Sequence, residues 1–320
     1  MSAITAQGHQ FTLNLKNASW GTIEYFIAAI LQLVAIPVVV KGIGVEMFGV
    51  LVIANTFLGL SGIFSGGLAQ STLKYVAKYR ALNQNEHLSR IVQSTLAVYI
   101  IVSTLVGLTL YCASRVIIVH LFPVNPANLE VAVTTIRITS LGLVFYFANM
   151  SFDAAIRGFE RFDLAVSIRS IANVCTQAGR IALVLCGFGV ISLVWLTVAI
   201  IALEAVSKAR IIRRKLLRGF QPIPRFSLSS LKEIWSFSFF TWISTIALLV
   251  RNNGEPLIVG TLLGADYVTY YSIAKGLIDQ VLSLVGKTFG FVFPATSKLV
   301  EQGQTDIICR EYNRLSVLAL

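Results

Sequence analysis

Charge is scarce in this 320-residue sequence: 13% of its residues are Asp, Glu, Lys or Arg, about half the share of an ordinary soluble domain. That scarcity, with a hydrophobic content of 56%, excludes a soluble globular protein. Histidine is limited to His9, His87 and His120, all in polar or interfacial stretches. The four cysteines, Cys112, Cys175, Cys186 and Cys309, lack metal-like spacing. Cys175 and Cys186 lie 11 residues apart on one expected helix, too far for a disulfide; all four read as small packing residues. There is no zinc motif, nucleophile–His arrangement or phosphate-cradling glycine loop, so neither metal nor cofactor nor enzymatic activity is expected. The polar stretch 1–19 followed by a long apolar run does not read as a cleavable signal peptide.

What is abundant is apolar sequence in long runs: 20–40, 47–69, 91–111, 131–152, 164–186, 190–206, 235–263 and 267–296. Each approaches or exceeds the roughly 20 residues that cross a hydrocarbon core. The fold class expected is therefore an all-α integral membrane protein with eight transmembrane helices, RLSVLAL opening a ninth.

A repeat at an offset of 220 residues organises these runs. It pairs Gly44 with Gly264, Ile53 with Ile273, Ala54 with Ala274, Gly66 with Gly286, Lys78 with Lys298, Gln84 with Gln304 and Arg90 with Arg310. Acidic positions pair too, Glu46 with Asp266 and Glu86 with Asp306. The reading is two parallel six-helix repeats, the second incomplete: a first bundle over 1–215, a basic linker over 216–234, and a partial second bundle over 235–320. By the same offset an intact chain runs to about 430 residues.

Lys and Arg are distributed unevenly. Of 26, 18 fall in alternate loops and two (Lys41, Arg115) in the opposite ones, which places the N-terminus and the basic loops in the cytoplasm. A net charge of +11 thus reads as topology and not as nucleic-acid binding. The run from Lys208 to Arg225 is the densest, and reads as a topology anchor on anionic membrane lipids or as a partner site. The longest outer loop, about 112–130, holds only Arg115, His120 and Glu130 as chemistry-bearing residues.

Polar groups inside the apolar runs are the candidate site residues, because a charge at mid-membrane costs about 2.5–3.5 kcal/mol and must face protein or water. The fifth run carries Arg169, Asn173, Thr176, Gln177 and Arg180; eleven residues make three turns, so Arg169 and Arg180 share one face. The seventh is interrupted by Arg251, Asn252, Asn253, Gly254, Glu255 and Pro256. This reads either as a kink lining a cavity, with Arg251 and Glu255 one turn apart, or as a wet outer loop. The eighth carries Lys275 and Asp279, spaced to pair, and Lys287, which has no helical partner and is the better ligand candidate. Arg137 and Glu24 are single charges near helix ends, readable as interfacial or locally paired. Embedded bases outnumber embedded acids, favouring an anionic cargo.

The segments KGIGVEMFG (41–49), GGLAQSTLKYVAKYR (66–80), IVGTLLGADYVTYYSIAK (258–275) and FPATSKL (293–299) resemble the O-antigen and polysaccharide flippases of the multidrug/oligosaccharidyl-lipid/polysaccharide exporter superfamily. The resemblance implies two six-helix bundles around a V-shaped cavity of alternating access. The cargo it implies is an undecaprenyl-diphosphate-linked oligosaccharide, moved from the inner to the outer leaflet of a bacterial inner membrane. It implies cargo roles for Arg137, Arg169, Arg180, Lys275 and Lys287, and polysaccharide polymerase and chain-length machinery as partners. Alternatives are a lipid II flippase or a drug/cation antiporter of the same superfamily. A membrane-embedded glycan-processing enzyme is the remaining one, disfavoured by the poverty of the outer loop.

Overall fold

The computed structural model describes residues 30–65, 67–217, 219–227, 232, 242–243, 246–247, 250–251 and 254–289. Glu24, Asn252, Asn253, Cys309, the side chain of Lys287 and the expected ninth helix lie outside the described residues. The chain divides into two compact units, Met1–Ile273 and Ala274–Leu320. Among the described residues secondary structure is entirely helical.

The helices of the larger unit are α1 (Ile30–Ile43), α2 (Val45–Ser61), α3 (Leu68–Ala81), α4 (Asn85–Leu121), α5 (Leu129–Gly158), α6 (Phe162–Leu185), α7 (Val190–Ile211) and α8 (Gly254–Leu263); α9 (Ala265–Phe289) continues into the smaller unit. By length and composition, four described helical segments can cross a membrane: Val45–Ser65, Asn85–Leu121, Pro126–Gly158 and Val190–Leu216. At 1.5 Å per residue the 24 residues of α6 reach about 36 Å, also enough. Its polar stripe is what lowers its apolar character.

Helix α5 is central, packing against α2, α3, α4, α6 and α7. The α4–α5 and α5–α7 seams are tight: a Cβ on Gly107 would lie 2.9 Å from the Ser140 carbonyl, and one on Gly142 2.8 Å from Val198. Small residues at such crossings let helices approach in lipid, where packing rather than water exclusion drives association. Buried hydroxyls at Thr56, Thr95 and Thr139 donate to carbonyls one turn back, as the water-free interior requires. Along α4, Ile101, Leu105, Leu108, Val116 and Val119 are exposed, an apolar face suited to lipid.

Two corners of the fold are alike. Gly44 lies between α1 and α2 with φ +86°, and Gly264 between α8 and α9 with φ +99°, a conformation that glycine adopts without strain. Gly44 N–H donates to Val40 (3.0 Å) and Phe48 N–H to Gly44 (3.1 Å); Gly264 donates to Gly260 (3.1 Å) and Val268 to Gly264 (3.4 Å). The pattern is identical when shifted by 220 residues. The corners also touch. Gly49 packs its Cα on the Ala265 carbonyl, and the Thr269 hydroxyl donates to the Val45 carbonyl at 2.7 Å. Position 49 corresponds to 269 and 45 to 265, so each contact is the image of the other.

Two expectations change. The outer loop expected over 112–130 is short, because α4 stays helical to Leu121; Glu46 then fixes the turn through Asn125 N–H and Asn128 Nδ2, both at 2.5 Å. Charges near both ends of α4 can reach the interfaces, so its helix outlasts its apolar window by several residues each way. Cys112, Cys175 and Cys186 are exposed and not packed. Pro256 is buried within the helical segment Gly254–Leu263.

Candidate functional site

Helices α6 and α7 form an antiparallel pair joined by a turn at Cys186–Gly189. On α6 the polar stripe runs through positions 169, 173, 176 and 180; on α7 the facing residues are Thr197, Ile201, Glu204 and Lys208. Both follow the spacing of one helical face. The sequence pattern therefore sets two matching stripes against each other, closed behind by α5.

At one end lies a cavity of about 580 Å³. Its charged wall converges on Asp153 of α5. Lys208 Nζ donates to Asp153 Oδ1 at 2.9 Å, and Arg157 Nε to Oδ2 at 2.7 Å. Arg169 Nη2 approaches Oδ2 at 3.4 Å, while Lys208 also pairs with Glu204 at 2.8 Å. The members differ in exposure. Lys208 is 1% exposed and held between two carboxylates, whereas the Arg169 side chain is 53% exposed and makes the longest contact. Three bases against two acids leave the cluster one positive charge in excess. Asn149, 8% exposed, brings an Oδ1 without a hydrogen-bond partner among the described residues to the same wall.

A second cavity of about 360 Å³ adjoins it, sharing Asn173, Ile201 and Glu204. It is lined by the amides of Gln32, Asn55, Asn173 and Gln177, with Arg180 donating from Nη2 to Thr197 Oγ1 at 3.1 Å.

The stripe on the fifth run thus comes together as spaced. Arg137 stands apart from both cavities: its Nε donates to Ser114 at 3.2 Å and its guanidinium lies 5.4 Å from the Tyr111 ring centre, toward α4. Arg251 is exposed. Glu255 is half-buried and accepts the Tyr271 hydroxyl. In the smaller unit Lys275 is half-buried and Asp279 exposed. Sequence reasoning placed Lys208 and Arg157 in cytoplasmic loops and passed over Asp153 and Glu204. The signal was available: Asp153–Arg157 and Glu204–Lys208 are both opposite charges one turn apart at the end of an apolar run. Lys208 is buried because α7 continues to Ile211 and turns that face toward α5.

The described part of the linker is anchored. Gln93 Nε2 donates to the Gln221 carbonyl at 2.9 Å, and the Gln93 backbone carbonyl accepts from Arg225 N–H at 3.4 Å. Ile212, Leu217 and Phe220 are buried while Arg213, Arg214 and Lys215 are exposed.

Residues 38–316 match a family described as polysaccharide biosynthesis protein. The chain is 24% identical over 291 residues to an inferred O-antigen transporter of Shigella flexneri, covering 89% of this chain and 67% of that protein. The fold is shared with a MOP superfamily transporter from Pyrococcus furiosus (TM-score 0.55, 17% identity, 87% of this chain and 72% of that one). It is also shared with an inward-facing multidrug resistance MATE transporter of the same superfamily (TM-score 0.60, 18% identity, 87% and 64%). The chain spans about two thirds of the length of the Shigella protein and of the MATE transporter. At such identities the structural likeness concerns the fold, a membrane transporter's helix bundle. With nearly its whole length matched, the chain belongs to the polysaccharide biosynthesis protein family.

Proposed function

We propose that this chain carries an undecaprenyl-diphosphate-linked oligosaccharide, an O-antigen or exopolysaccharide repeat unit, from the inner to the outer leaflet by alternating access. One observation carries the reading: in the larger cavity both carboxylates are engaged by Lys208 and Arg157, while the exposed charge is Arg169. A cation-binding antiporter needs carboxylates turned to its cargo. Here the accessible group is a guanidinium, which suits a diphosphate because its planar fork meets two oxygens at once. A wall at once charged and apolar fits a cargo with an anionic head and a lipid tail.

The test uses the full chain in nanodiscs with inorganic pyrophosphate as probe. Pyrophosphate is expected to bind better than sulfate, and Arg169→Gln to weaken it about tenfold or more, the worth of a hydrogen bond to a charged group. In cells the same variant should reduce surface glycan at unchanged protein level. Equal binding of pyrophosphate by wild type and Arg169→Gln would overturn the reading.

A further inference from the structure

The smaller cavity differs from its neighbour in chemistry. Four primary amides, Gln32, Asn55, Asn173 and Gln177, reach its wall; Asn55 spends one N–H on the Leu51 carbonyl at 2.9 Å, and a primary amide carries both donors and an acceptor. That mixture suits the hydroxyl groups of a sugar. Among them stands one cation. The Arg180 Nε is buried without a hydrogen-bond partner, and no carboxylate lies within ion-pair distance of Arg180 among the described residues. Glu204 shares the wall, but Lys208 engages it at 2.8 Å. Arg180 as a whole is half-buried, but a guanidinium with a buried, unmet donor is costly, and a planar carboxylate from a ligand relieves it through two parallel bonds.

We propose that this second cavity is a sugar subsite for a carboxylate-bearing sugar of the uronic acid class, with Arg180 as its specificity-determining residue. The proposal rests on the reading of the chain as a carrier of a diphosphate-linked glycan, and it divides the labour of the two cavities. Arg169 and Arg180 lie eleven residues apart on one helix face, about 16 Å along the axis. That separation places the acidic sugar further along the glycan from the diphosphate. The cavities share Asn173 and Ile201, so one extended ligand can occupy both. The amides accept the neutral hydroxyls of any hexose, whereas the guanidinium distinguishes a carboxylate from the hydroxymethyl group it replaces. A site built to bond a particular group discriminates strongly against the analogue that lacks it.

The experiment is ligand-observed NMR on the full chain in nanodiscs, with D-glucuronate, D-glucose and inorganic pyrophosphate as separate probes. The variants are Arg180→Gln, Arg180→Lys and Arg169→Gln. Glucuronate is expected to bind at least about tenfold more tightly than glucose to the wild type. Arg180→Gln should erase that preference and leave glucose binding in place, which also shows that the variant is folded. Arg180→Lys should keep a reduced preference, because the charge remains and the fork does not. Pyrophosphate should depend on Arg169 and not on Arg180. Equal binding of glucuronate and glucose to the wild type overturns the subsite. So does a loss of pyrophosphate in Arg180→Gln as large as that of glucuronate, since Arg180 would then hold the diphosphate. A glucuronate preference that needs Arg180, together with pyrophosphate binding indifferent to Arg169, keeps the subsite and sinks the diphosphate reading instead.

Discussion

Asp153→Ala is expected to destabilise the protein by about 3–5 kcal/mol, the usual cost of removing one partner from a buried ion pair. The size follows from what is left behind. Lys208 is 1% exposed and keeps only Glu204; Arg157 loses its 2.7 Å partner, and Arg169 is released from Oδ2. The buried lysine cannot reach water to recover its solvation, so the deficit falls on the folded state. Thermal unfolding of the full chain in detergent reads the effect. The pairing itself is isolated by a double-mutant cycle of Asp153→Asn and Lys208→Gln, whose combined loss should be smaller than the sum of the two by more than about 0.5 kcal/mol. Additive losses, or an Asp153→Ala variant whose stability lies within about 1 kcal/mol of wild type, would show that Asp153 does not organise this cluster.

The stripe on α6 was legible in the sequence because a water-facing row in an apolar helix must repeat at helical spacing, and Arg169, Asn173, Thr176 and Arg180 do. The two glycine corners were legible through the 220-residue offset. What was hidden is the identity of the partner face. Thr197, Ile201, Glu204 and Lys208 have the same spacing, but Ile201 is apolar and Lys208 opens a basic run. A hydropathy profile therefore ends the helix near 206 and assigns Lys208 to the loop. Single charges carry no such periodic information. Arg137 shares no row with other polar groups, and only the packing of α5 on α4 turns it to Ser114 and Tyr111, away from the cavities. Asp153 could have been read from its i, i+4 partner Arg157, yet nothing local to it shows that a third and a fourth charge arrive from α6 and α7. Pair spacing along one helix is written in the sequence; convergence between helices is written only in their crossing.

Giving Gly49 a side chain is the other substitution with a large expected effect. Its Cα lies against the Ala265 carbonyl, and a Cβ there has no room before backbone atoms. A flexible side chain could move aside, whereas a carbonyl at the start of α9 is held by its own helix. Gly49→Ala should therefore force α2 and the beginning of α9 apart and cost about 1–3 kcal/mol, as overpacking does elsewhere, with Gly49→Val costing more. The symmetry of the joint supplies a second arm. Thr269 occupies the image of position 49 and donates to Val45, the image of position 265. Removing that hydroxyl in Thr269→Val keeps the shape and deletes one bond, so its cost should stay near about 1 kcal/mol. If both contacts belong to one joint, the two substitutions should be non-additive when combined, because helices already forced apart by Gly49→Ala cannot lose the Thr269 bond again. Thermal unfolding of the two single variants and the double decides it. A Gly49→Ala protein as stable as wild type would mean that the two corners do not meet as closely as described. Strict additivity would mean that they meet without acting as one joint.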